Sequence, residues 1–103
     1  MSMKLIMNWD IKAGQDQEYF EFVVREWVPA TTRLGLQMIG AWFTMYSADP
    51  SAPRIMAEAM TPDLDTMRSI LASDGWQRIH GRLLEYVDNY SHKVVNSNGD
   101  FQL

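Results

Sequence analysis

The sequence predicts an α+β fold in which strands and helices follow one another as β-α-β-β-α-β. Three observations carry this. Four short segments read as strands, the clearest of them alternating apolar and polar residues with a period of two. Apolar residues recur at helical spacing between the first and second strands, and again between the third and fourth. The chain has 103 residues, which is one domain spanning the whole length and one core.

Met3 to Lys12 is the first strand. Met3, Leu5, Met7, Trp9 and Ile11 alternate with Lys4, Ile6, Asn8, Asp10 and Lys12, and Ala13-Gly14 ends it. From Asp16 the period changes, with Phe20, Val23, Val24, Trp27, Thr31 and Leu34 on one helical stripe. Asp16 is placed to cap this helix and Glu18 to favour its positive end. Pro29 should kink it or split off its last turn. Gly35 is placed to stop it in a left-handed conformation.

The second strand, Leu36 to Tyr46, is apolar on both faces. Ile39, Ala41, Phe43 and Met45 fall on one, and Met38, Gly40, Trp42, Thr44 and Tyr46 on the other. Ser47 to Pro53 is a turn-rich loop, and Arg54 to Met60 returns as a third strand, making an antiparallel hairpin. Thr61 is placed as N-cap and Pro62 as first residue of a helix carrying Leu64, Met67, Ile70 and Leu71. Ser73-Asp74-Gly75 interrupts it. Trp76 to about Tyr86 is helical again, with Ile79, Leu83 and Tyr86 on one side. Val87 to Val95 is the last strand, and a polar turn precedes Phe101-Gln102-Leu103.

This order is the split β-α-β, or ferredoxin-like, arrangement: a four-stranded antiparallel sheet with the helices on one face. Helices cover one side only. The side bearing Trp42 would expose an apolar patch, so a second copy of the chain or a ligand cavity is expected to cover it.

Composition narrows the partners. Net charge is −4 and no run of Lys or Arg occurs, which argues against nucleic acid and anionic membrane surfaces. There is no cysteine, so disulfides, thiolate metal sites and thiol nucleophiles are excluded, and a reducing cytoplasm suits the chain. The N-terminus lacks the pattern of a signal peptide, and no apolar run approaches the roughly 20 residues of a membrane helix. No GxGxxG, P-loop, GxSxG or HExxH motif occurs.

Gly14-Gln15, Glu26-Trp27-Val28-Pro29, Leu34-Gly35-Leu36, Gly40-Ala41-Trp42 and the helix from Gly75-Trp76-Gln77 to Tyr86 give the chain a resemblance to the dimeric α/β-barrel superfamily, most closely to its NIPSNAP-like domains. The resemblance implies a homodimer in which two sheets form a barrel, and a cavity between sheet and helices. The superfamily includes antibiotic-biosynthesis and haem-degrading monooxygenases, lactone isomerases, stress-induced proteins and members without a known activity. Haem-degrading members use an Asn of the first strand with a Trp and a His of the second helical region. Asn8, Trp76 and His80 match those residue types, but in that family the Trp and His lie further apart, so no cofactor is expected.

Two sets of residues are candidates for chemistry. His80 and His92 are the only histidines, and His80 follows Trp76 by one helical turn. His92 lies in the last strand, one face of which meets the cavity or the dimer seam. Its ordinary role would be a hydrogen-bonded or solvent-facing strand residue, and that of His80 a helix-packing one. Parity supplies the second set. If Leu5, Met7 and Trp9 face the helices, then Asn8, Asp10, Arg54 and Glu58 face away, where Trp42 and Tyr46 could join them in a polar-aromatic pocket. Glu58 is a candidate acid or base there, and otherwise the partner of Arg54 or Lys4 in a cross-strand ion pair. The expectations are therefore His92 and Glu58 as catalytic candidates; Asn8, Asp10, Trp42, Tyr46, Arg54, Trp76 and His80 as ligand contacts; and no metal. The expected function is binding of an apolar or aromatic small molecule, with a cofactor-independent monooxygenase or isomerase, or a non-catalytic dimer module, as alternatives.

Overall fold

The computed structural model describes residues 1–44 and 54–97 and, within them, all side chains except those of Trp42, Phe43, Thr44 and Arg54. The expected loop before the third strand, the end of the second strand with Tyr46, and the C-terminal tail lie outside the described residues. Strand β1 is Met3–Ile11, β2 Gln37–Thr44, β3 Arg54–Thr61 and β4 Val87–Asn96. Between β1 and β2 run α1 (Asp16–Phe22), a π-helical turn (Val23–Trp27) and α2 (Val28–Leu34); between β3 and β4 run α3 (Leu64–Ala72) and α4 (Asp74–Leu83). The sheet order is β2-β3-β1-β4 with every pair antiparallel, which is the expected ferredoxin-like arrangement. Among the described residues no helix is long and apolar enough to cross a membrane.

One parity of β1, namely Leu5, Met7, Trp9 and Ile11, packs in a single core with Tyr19, Phe22, Trp27, Met67, Ile70, Trp76, Ile79 and Leu83 from the helices. The helices therefore share one face of the sheet. Lys4, Ile6 and Asp10, of the other parity, are also buried but stand outside that core.

Packing corrects several local expectations. The first helical region is continuous, but the Val28 N–H reaches back five residues to the Val23 carbonyl. Pro29 has no N–H to donate and its ring crowds the carbonyl four residues earlier, so the preceding turn opens by one residue. The buried face consequently runs through Tyr19 and Phe22, then jumps five residues to Trp27 and on to Thr31. Phe20 and Val24, expected on the inner stripe, are 44% and 71% exposed.

The helix ends also differ from expectation. Asp16 is the first residue of α1 and Gln15, without a side-chain bond, stands at the cap. Asp63 rather than Thr61 caps α3, its Oδ1 accepting the Thr66 N–H at 2.7 Å, while Thr61 ends β3. Ser73 alone separates α3 from α4: its N–H ends the first, and its Oγ accepts the Trp76 N–H to begin the second. Gly35 does stop α2, at φ 104°, a conformation costly to residues with a Cβ.

Both outer strand pairings carry a bulge. In β2 the register passes from Met38 opposite Ala59 to Gly40 opposite Glu58, so Ile39 is the extra residue. Met38, expected on the face of Trp42, is thereby carried to the helix side with Ala41, whose partner Ala57 is buried. In β4 the extra residue is Asn89, at φ 58°, which Asn tolerates better than most residues. That insertion lets Tyr90 stack on Trp9 and still aligns Val87 with Ile11 in the core.

Candidate functional site

Trp9, two residues before the end of β1, organises the layer between sheet and helices. Its indole meets Trp27 edge-on at 5.9 Å and stacks on Tyr90 at 6.0 Å, while its Nε1–H donates to Tyr19 Oη at 2.9 Å. The π turn makes this possible, because it aims Trp27 inward although Val24 points out. Burial pushes the pKa of the Tyr19 hydroxyl up to about 12, against the smaller opposing effect of the Trp9 hydrogen bond, so it stays protonated at neutral pH.

On one side of Trp9 lies a cavity of about 240 Å³. Tyr19, Trp27 and Val28 form its helix wall, and Met38, Ala41 and Ala57 its sheet wall. The bulge at Ile39 is what brings Met38 and Ala41 to the same rim. The lining is apolar and aromatic, with the Trp9–Tyr19 pair as its polar feature.

On the other side of Trp9 is an aromatic and imidazole cluster. Trp76 meets Trp27 at 5.8 Å, stacks on His80 at 5.4 Å and meets His92 edge-on at 6.4 Å. Tyr90 packs against His80 at 4.5 Å, and its hydroxyl lies 2.9 Å from His92 Nδ1. His80 Nε2 is buried and has no hydrogen-bond partner among the described residues. Desolvation lowers the pKa of both histidines, and the proximity of His92 lowers that of His80 further, so both favour the neutral ring. Burial also raises the pKa of Tyr90. A neutral imidazole bonded to a phenol can pass a proton in either direction.

The structure divides the expected residues. Trp76, His80 and His92 come together on the helix side, where His92 is paired with Met7 in the β1–β4 register. Glu58 lies across the sheet from them, aligned with Ile6 and 3.8 Å from Lys4 Nζ. The two catalytic candidates thus do not share a site. Asn8, Asp10 and Glu58 belong to one parity, with Asn8 opposite Met56 and Asp10 opposite Arg54. Backbone register sets Trp42 opposite Met56 and Thr44 opposite Arg54. Asp10 Oδ2 accepts from Asn89 Nδ2 at 2.9 Å, so the β4 bulge supplies its partner. Among the described residues no cluster of His, Asp and Glu could hold a metal ion.

Sequence reasoning missed Tyr19, Trp27, Met38, Ala57 and Tyr90 as site residues. Tyr90 was within reach, since it precedes His92 by two and shares its parity. Tyr19 and Trp27 lie eight residues apart, and only the opened turn places them at one cavity.

No protein-family model matches the chain, and no curated protein sequence matches it. Solved structures do. A NIPSNAP family protein from Agrobacterium tumefaciens superposes with a TM-score of 0.71 at 19% identity, over 93% of this chain and 92% of that one. An EthD family protein from Bacillus halodurans gives 0.66 at 16% identity, over 94% and 99%. A mutant form of SnoaB, a cofactor-independent oxygenase from Streptomyces nogalater, gives 0.64 at 14% identity, over 93% and 92%. The fold of the chain is therefore the NIPSNAP-like fold that the sequence resembles. At these identities the likeness is one of fold, and function rests on the site.

Proposed function

We propose that the protein is a homodimer that binds a small, flat, apolar or aromatic molecule in the cavity beside Trp9. The observation that carries this is the composition of the wall: Trp9, Trp27, Met38, Ala41 and Ala57 offer apolar surface, and Tyr19 offers one hydroxyl. Trp9 occupies an acceptor position of that hydroxyl, and no described residue takes its proton. The proton is thus available to a carbonyl or hydroxyl oxygen on the ligand. A volume of about 240 Å³ admits a ligand of one or two fused rings.

A thermal-shift screen of neutral one- and two-ring phenols and quinones tests the reading. At about 100 times its Kd a true ligand stabilises the chain by roughly 2.7 kcal/mol. Ala41→Phe, at the exposed rim of the cavity, should abolish the shift without changing the melting temperature of the free protein. If no such compound raises the melting temperature, or if Ala41→Phe leaves the shift intact, the reading fails.

The pair His92–Tyr90, with His80 beside it, supports a second reading, a cofactor-independent oxygenase or isomerase acting on the same class of molecule at that cluster, across Trp9 from the cavity. In that case His92→Gln should suppress turnover of a bound phenol while leaving its Kd within about twofold. Loss of binding and turnover together would indicate a packing role.

A further inference from the structure

We infer that the cleft between α2 and α4 is a second binding site, for a small organic polyanion such as a tricarboxylate or a phosphate ester. It lies on the outer surface of the helices, away from the cavity beside Trp9, and stands independently of the function proposed for that cavity. The cleft encloses about 470 Å³, the size of a small-molecule site. Arg25 and Arg33 line it from the first helical region, and Arg78 and Arg82 from α4. These are four of the six arginines in a chain whose net charge is −4. Composition alone gives no reason for them to converge.

The local charges do not cancel. Among the described residues Glu26 is the single carboxylate lining the cleft, and Arg82 holds both its oxygens, at 2.9 and 3.4 Å, while also donating to Glu85 at 2.8 Å. Arg25, Arg33 and Arg78 make no ion pair among the described residues. Arg33 also offsets the negative end of α2, but Arg78, in the middle of α4, has no such role. Arg78 and Arg82 are one turn apart on α4, a spacing at which like charges repel.

Packing makes this a cleft rather than a scatter of surface side chains. Gly75 lets the start of α4 approach Leu34 of α2 so closely that a Cβ there would lie 2.7 Å from Leu34 Cδ2. The close approach draws the two arginine-bearing walls together over a floor that includes Ala30, Leu34 and Ile79. Guanidinium forks on facing walls suit a ligand with several carboxylate or phosphate oxygens, because each can take paired N–H bonds.

Titration calorimetry with tricarballylate in low salt tests this, with acetate at equal ionic strength as the control. Tricarballylate should bind saturably at a stoichiometry of one per chain, and acetate should not. Arg33→Gln with Arg78→Gln should weaken binding about tenfold or more, the loss expected for two charge-assisted contacts. Circular dichroism of that double variant should be unchanged, since both side chains are exposed. Ala41→Phe should leave tricarballylate binding intact, so the two sites can fail separately. Absence of saturation at about ten millimolar, equal heats with acetate, or an unaffected folded double variant would each overturn the inference.

Discussion

Trp9 and Tyr19 show how a single buried hydrogen bond can serve both the core and a cavity. Tyr19 is 3% exposed and Trp9 2%, so losing the acceptor strands the indole N–H away from water. Tyr19→Phe should cost about 1–3 kcal/mol in chemical denaturation. The same tyrosine makes an alkaline prediction. Folding raises its pKa from 10.0 to about 12, so the folded state holds a proton that the unfolded chain releases in that interval. Stability is complete below pH 10 and falls as pH rises towards 12, and Tyr19→Phe should flatten that fall in a pH series of melting temperatures. The histidines act in the opposite sense. Their folded pKa values lie below the usual 6.5, so the unfolded chain takes up more protons under acid conditions. Melting temperature should therefore drop as pH falls below 6.5, and His80→Gln should reduce the drop. A melting temperature constant from neutral pH to about pH 5 would contradict the cluster's electrostatics.

At the level of elements, the π turn decides which residues of the first helical region are core. A regular helix would bury Val24, whereas the opened turn leaves it 71% exposed and Trp27 only 1%. Val24→Lys should therefore change stability by less than about 0.5 kcal/mol, while Trp27→Ala should cost about 3–5 kcal/mol. A costly Val24→Lys in a monomeric state would contradict the turn. Ser73 offers a second check, because its one hydroxyl donates to the Ile70 carbonyl and accepts from Trp76 N–H. Ser73→Ala removes the hydroxyl's bond to the Ile70 carbonyl and the cap of α4 together, while the backbone N–H that ends α3 stays, at about 0.5–2 kcal/mol in urea denaturation. The helices and strands themselves were legible, since Gly35 and the period-two strand β1 are local signals, although Pro62, expected as the first helical residue, stands before the Asp63 cap of α3. The caps were less so: Thr61 and Asp63 are both good N-caps, and only where β3 stops selects Asp63.

For the whole molecule, the sheet's two faces carry different consequences. The helix face holds the aromatic layer and the cavity, and the opposite face presents Met56, Met60 and the Lys4–Glu58 pair beside buried Ile6. Pairing of two sheets through that face is the expected dimer, so sedimentation equilibrium should return twice the 11.9 kDa chain mass. A monomer at micromolar concentration would contradict that pairing and leave Met56 and Met60 uncovered.

Element order, the inward parity of β1 and the glycine stop at Gly35 were determined by the sequence itself, because periodicity and backbone preference act over a few neighbouring residues. The tertiary structure decided which side chains meet. One extra residue in the π turn, one at Ile39 and one at Asn89 each shift the phase of the residues after them. Each is inserted at small local cost and fixed by the packing it permits, so no local pattern announces it. His80 and His92 belong to different elements and became neighbours only because α4 lies across the edge strand β4. The same long-range packing separates Glu58 from them, although the parity of β1 and β3 is the one their alternation predicts.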